Sequence, residues 1–158
     1  MSTQTPDRIE REISIAAPVE RVWDVLTRPE HIGRWFGADL GGSGAPADVD
    51  LRPGGAFEID HGFGVYPSRV VGVEPPRYFA YRWATAFPGS EAAEDNSTLV
   101  EFTLTPDGDG TRLRVVESGF AALDIPEERV PYAGHESHSQ GWVEVTAGLA
   151  AYVEKLPA

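Results

Sequence analysis

Glu136-Ser137-His138-Ser139-Gln140-Gly141-Trp142-Val143-Glu144-Val145-Thr146-Ala147-Gly148-Leu149-Ala150-Ala151-Tyr152-Val153-Glu154-Lys155-Leu156 reads as one long amphipathic helix. Trp142, Val145, Leu149, Val153 and Leu156 recur at helical spacing and form an apolar stripe. The segments before it read as strands. A long amphipathic helix after a strand series buries its stripe across a sheet, a geometry that often leaves a ligand-sized space between the two. Function is expected in that space.

Working back along the chain, Thr98 to Thr105 and Arg112 to Ser118 alternate as strands on either side of Pro106-Asp107-Gly108-Asp109-Gly110, a hairpin turn rich in residues that accept positive φ. Phe57 to Asp60, Ser68 to Glu74 and Tyr78 to Thr85 give three more strands, set off by Pro53-Gly54-Gly55 and Pro75-Pro76. Arg8 to Ala16 is a half-buried strand with Ile9, Ile13 and Ile15 on one side. A helix follows, with Pro18 at its first position and Val19, Val22, Trp23 and Leu26 as its stripe. A second short helix is expected from Pro29 to about Phe36. Residues 37–47 and 86–96 read as loops, and 119–134 as an irregular apolar stretch beside the final helix.

The order is strand, two short helices, five or six antiparallel strands and one long helix. This is an α+β helix-grip arrangement, a curved antiparallel sheet wrapped around the C-terminal helix. With 158 residues and 41% apolar content, the whole chain is expected to be a single domain with its core from about residue 8 to 157. A domain of that size buries about 70% of its unfolded surface.

The net charge of −12, from 25 acidic and 13 basic residues with no basic cluster, opposes phosphate backbones and anionic lipid. Nucleic acid and membrane are therefore not expected as partners. No apolar run approaches the roughly 20 residues of a membrane span, and the polar start carries no leader signal, so a cytoplasmic location is expected. The absence of cysteine removes thiol nucleophiles and cysteine-based zinc sites.

Alternation nominates an inner wall: Phe79, Tyr81 and Trp83; Val100, Phe102 and Leu104; Phe57 and Ile59. Trp142, Val145 and Leu149 face it from the helix. His61 shares parity with Phe57 and Ile59 and is a candidate acid, base or hydrogen-bond donor. His135 and His138 are three apart, but no second ligand group has metal-site spacing, and Ser137 reads as an N-cap with Gln140 at N3. No metal and no cofactor is expected. Glu101 and Arg114 are expected to pair across the hairpin, whereas the face that Arg82 and Glu117 occupy depends on register. A buried Glu117 would be a functional-site candidate. There is no nucleophile elbow, phosphate-binding loop or dinucleotide fingerprint.

Ala17-Pro18-Val19-Glu20-Arg21-Val22-Trp23-Asp24-Val25-Leu26-Thr27, Pro29-Glu30-His31-Ile32 and Arg34-Trp35-Phe36 resemble the opening signature of START-like (SRPBCC) proteins. The resemblance is to the branch named for homology to the C-terminal domain of the activator of the heat-shock-protein-90 ATPase. Leu51-Arg52-Pro53-Gly54-Gly55-Ala56-Phe57, Val73-Glu74-Pro75-Pro76-Arg77, Tyr81-Arg82-Trp83 and Gly141-Trp142 extend it from about Ile9 to Leu156. It implies a cavity between the last helix and the concave sheet, used across the superfamily for lipids, sterols and polyketides. Trp35 and Phe120 join the wall residues above as its expected lining.

Three functions follow. The first is binding of a small apolar molecule, lipid-like, aromatic or polyketide-like, as carrier or sensor, by a monomer or homodimer. The second is a cofactor-free cyclase or dehydratase using His61, Tyr81 or Glu117 in acid–base chemistry. The third, and least expected, is co-regulation of a chaperone ATPase, since the chain has no room for the additional N-terminal domain of the eukaryotic activators.

Overall fold

Strand β1 (Arg8–Ile15) buries Ile9 and Ile15 between exposed Arg8, Glu10 and Glu12, the alternation its sequence dictates. The computed structural model describes residues 7–28, 46–49, 52, 54–60, 65–84, 92, 96–123, 125–129 and 134–156; for 46–49, 56–60, 65–67, 122, 129 and 137 it describes the backbone alone. Helix α1 (Val19–Thr27) buries Val19, Val22, Val25 and Leu26, and half-buried Trp23 stands edge-on to Phe79 at 6.5 Å. Pro18 is the N-cap and not the first helical residue: its φ of −65° suits a helix, but its ψ of 155° is extended. Its carbonyl accepts from the amides of Arg21 and Val22. The helix expected from Pro29 to Phe36 lies outside the described residues, as do most of the expected 37–47 and 86–96 loops.

Six more strands follow: β2 (Pro46–Val49), β3 (Ala56–Asp60), β4 (Val65–Glu74), β5 (Tyr78–Trp83), β6 (Thr98–Asp107) and β7 (Gly110–Ser118). They form one antiparallel sheet with β1, in the order β1-β7-β6-β5-β4-β3-β2. The short strand β2 corrects the reading of residues 46 and 47 as loop. Its pairing with β3, Val49 opposite Phe57 and Asp48 opposite Glu58, depends on a partner that local composition does not reveal, and its proline opens an edge strand where a missing N–H is harmless. The hairpin ladder runs further than the turn residues suggested. Pro106 pairs with Thr111 and Asp107 with Gly110, which leaves Gly108 and Asp109 at the tip, Gly108 at a φ of 61°.

The final helix, α2 (His135–Lys155), begins at an N-cap of Gly134 without a side-chain cap, so Ser137 lies inside the first turn and is not the cap expected of it. The earlier start is anchored from the sheet: His135 Nε2 donates to the Arg8 carbonyl at 2.9 Å. At the far end the Glu154 carboxylate accepts from the Ala16 amide at 2.8 Å, and Arg21 Nη1 donates to the Leu156 carbonyl at 3.0 Å. Helix α2 therefore runs parallel to β1, fastened near both ends. Trp142, Val145, Leu149 and Val153 are buried against the sheet. No described helix is long and apolar enough to cross a membrane.

On the outer face the expected Glu101–Arg114 pair is replaced. The register sets Arg114 opposite Thr103 and Glu101 opposite Val116; Arg114 pairs instead with Glu10 at 3.0 Å, and Glu101 accepts from the Tyr78 hydroxyl at 2.5 Å.

Candidate functional site

The inner face of the sheet is built from cross-strand rows, because paired residues of antiparallel strands project to the same side. One row runs Val70, Tyr81, Val100, Glu117, Ile9 from β4 to β1. Every member is buried, and Glu117, fully enclosed at 0% exposure, is the only charged one. The next row places Ser68, Trp83 and Thr98 side by side. Residues 138 and 142, one turn apart on α2, meet these two rows from above.

Four side chains converge on Glu117. Trp83 Nε1 donates to Oε2 at 2.7 Å and Thr98 Oγ1 to the same oxygen at 2.5 Å. Trp142 Nε1 donates to Oε1 at 2.8 Å, and His138 Nδ1 reaches both oxygens at 2.8 and 2.9 Å. Burial by itself would push this carboxyl's pKa up. The opposing effects, the His138 charge followed by hydrogen bonds from His138, Thr98 and Trp142, are stronger and hold it below the ordinary 4.5. Glu117 is thus a buried carboxylate whose lone pairs are taken, a weak base but a strong tie between β5, β6, β7 and α2.

The sign of its pH effect follows. A depressed folded-state pKa contributes stability that is present above the unfolded value and lost as pH falls through the folded one. The urea midpoint should fall as pH drops below about 4.5, and Glu117→Gln should lack that part of the decline. An identical acid profile in the variant would show that Glu117 does not titrate in this way.

An aromatic surface surrounds the tie. Phe79 stacks on Phe102 at 6.3 Å, and Tyr81 lies 5.7 Å from Phe79, 6.2 Å from Phe102 and 5.6 Å from Trp83. Trp142 stands edge-on to Phe102 at 5.8 Å and 6.0 Å from Trp83. The two indoles touch. Burial first, and the Glu117 charge second, push the Tyr81 phenol well above its usual 10, so it stays protonated. Phe120, in a short 3-10 turn (Phe120–Ala122), lies edge-on to His138 at 5.5 Å and His135 at 5.3 Å.

Of the residues nominated from the sequence, Phe79, Tyr81, Trp83, Val100, Phe102, Phe120, Trp142, Val145 and Leu149 are buried between sheet and helix. Phe57 and Ile59 are placed as backbone only, opposite Ser68 and Tyr66. Trp35 and His61 lie outside the described residues. Parity put Glu117 with Leu113 and Val115, and the register turns that set inward. Arg82 stands in the outer row, opposite Arg69 and Leu99, with Nη1 3.4 Å from Ser97 Oγ. Sequence reasoning did not connect Thr98 or His138 to Glu117. The available signal was the i, i+4 spacing of His138 and Trp142 on the apolar face of a helix, two polar-tipped rings that need a buried acceptor. His135 and His138 diverge, one to the Arg8 carbonyl and the other to Glu117.

A family model and solved structures place this architecture among known proteins. The family model described as Activator of Hsp90 ATPase homolog 1-like protein matches residues 16–154. A comparison with curated proteins gave no match. Among solved structures, protein MLL2253 from Mesorhizobium loti is 27% identical, with a TM-score of 0.72 over 96% of this chain and 99% of its own. DynU16, a protein of the dynemicin biosynthetic locus, is 26% identical with a TM-score of 0.71, covering 95% of this chain and 48% of that one. This chain thus spans about half the length of DynU16. The Aha1 dimer from Colwellia psychrerythraea, 18% identical over 94% of this chain and 95% of its own with a TM-score of 0.68, shares the fold.

Proposed function

The chain belongs to the Activator of Hsp90 ATPase homolog 1-like family, and from that premise we propose that it binds a small, largely apolar molecule between α2 and the inner face of the sheet, as a carrier or sensor. The observation that carries this reading is the continuous aromatic surface of Phe79, Tyr81, Trp83 and Phe102 under Trp142, in a fold that holds one long helix against a concave sheet. Concave apolar surfaces with a few fixed polar groups are the usual form of small-molecule sites. The likeness to a protein of a biosynthetic locus supports a small-molecule partner over a macromolecular one. Glu117, with its acceptors occupied, acts by holding the helix that covers the ligand.

Native mass spectrometry of the purified protein, with extraction of anything that co-purifies, tests this. Near-stoichiometric retention of an apolar compound is expected. A protein that arrives empty, and takes up none of a panel of neutral aromatic compounds, would overturn the reading.

A further inference from the structure

A molecule seated against the aromatic wall touches the part of it that keeps surface, and that part is local. Tyr81, Val100, Phe102 and Leu149 are at most 2% exposed, whereas Trp83 and Val145 keep 7% and 9%. The His138 side chain keeps 8% while its partner Glu117 keeps none. These residues adjoin. The Trp83 and His138 rings lie 5.5 Å apart, Trp142 lies 6.0 Å from Trp83, and residues 138, 142 and 145 follow one another along the buried stripe of α2. Among the described residues, the accessible wall is the stretch under the first three turns of α2.

Its indole N–H groups, from Trp83 and Trp142, both go to Glu117, as does the Thr98 hydroxyl beneath them. Val145 is apolar. His138 differs because an imidazole has two nitrogens, and only Nδ1 faces Glu117, at 2.8 and 2.9 Å from the two carboxylate oxygens. An ionised carboxylate only accepts, so Nδ1 is the donor and the tautomer is set. Nε2 stands on the ring edge away from Glu117. It accepts when the imidazole is neutral and donates when it is protonated. The Trp83 and Phe120 rings, each 5.5 Å away, leave the imidazole little room to turn.

Resting on the binding reading above, we infer that His138 selects the ligand, through a hydrogen bond between Nε2 and a hydroxyl carried on an aromatic or polycyclic skeleton. A hydroxyl suits this position because it donates to a neutral imidazole and accepts from a protonated one, so the contact holds in either state. The skeleton rests on Trp83 and Val145, the apolar members of the accessible stretch. An analogue without the hydroxyl covers the imidazole edge and gives it nothing, which costs the site the desolvation of that group.

Naphthol and methylnaphthalene, substituted at the same carbon and differing by a hydroxyl in place of a methyl group, test this on the full chain and on His138→Asn. The asparagine amide takes the place of Nδ1 and keeps a donor for Glu117, but it has nothing at the position of Nε2. Naphthol affinity should fall about five- to tenfold in the variant, and methylnaphthalene affinity should change by less than about twofold. In the parent, the Nε2 nitrogen resonance of His138 should shift on addition of naphthol and stay in place with methylnaphthalene, a readout that needs no variant to fold. An equal fall for both compounds, or none for either, overturns the role of His138 and leaves the binding reading standing, as does an Nε2 resonance that ignores bound naphthol. If neither compound binds the parent, the binding reading itself falls and the inference goes with it.

Discussion

Glu117→Leu should lower the free energy of unfolding by about 4 kcal/mol, the range found when one member of a buried charged pair is removed. Two indole N–H groups, a hydroxyl and an imidazole N–H all point at the lost carboxylate, in a place where water does not substitute for it. Each buried donor left without an acceptor costs about 1–3 kcal/mol, and the total stays below their sum because the rings can shift together. Glu117→Gln keeps the shape and one acceptor but turns an N–H₂ toward donors, so about 2–3 kcal/mol is expected. Urea unfolding of both variants gives the answer. A loss below about 1 kcal/mol in Glu117→Leu would mean that the donors find other partners and that the tie is not what holds α2.

Phe102→Ala should cost about 3–5 kcal/mol and leave an apolar void between Phe79, Tyr81 and Trp142. Phe102 is 1% exposed and touches aromatic rings from both sheet and helix, so its truncation removes contacts that no neighbour restores. A void of that kind stays dry and takes up small apolar compounds, so benzene should raise the variant's melting temperature by more than it raises the parent's. A cost of only 1–2 kcal/mol would instead describe a ring lining a space already open in the parent. By the same reasoning Leu149→Trp would act on the core and not on a ligand: Leu149 is completely buried, and a larger ring there would strain the core before it reached any pocket.

Strands β1, β5, β6 and β7 and the long helix were legible because their apolar residues repeat at periods of two and 3.6, and burial follows that repeat. Strand β2 was not legible, since four residues beginning with proline become a strand only by pairing with β3. The inward wall was readable residue by residue along each strand. The assembly of Trp83, Thr98, Glu117 and His138 was not, because parity ranks residues within one strand and says nothing of which faces meet until the register is set. Glu117 illustrates this: alternation grouped it with Leu113 and Val115, but its fate depended on whether that group faced in. The pairing expected for Glu101 and Arg114 failed for the same reason, a shift along the ladder sending each to a different partner.

The fastening of α2 beside β1 also bears on how copies of this chain can meet. A sheet has two edges, and an exposed edge is a template for a strand from another molecule. Here the edge at β1 is flanked by α2, with the Arg8 carbonyl and the Ala16 amide already engaged by His135 and Glu154. Among the described residues the other edge of the sheet is β2. Fibrous growth requires each copy to offer a donor edge and an acceptor edge that repeat without closure, whereas a sheet with one working edge stops after a single two-fold pairing. Helix α2 thus does for self-assembly what a cap does for a repeat array: it ends the series.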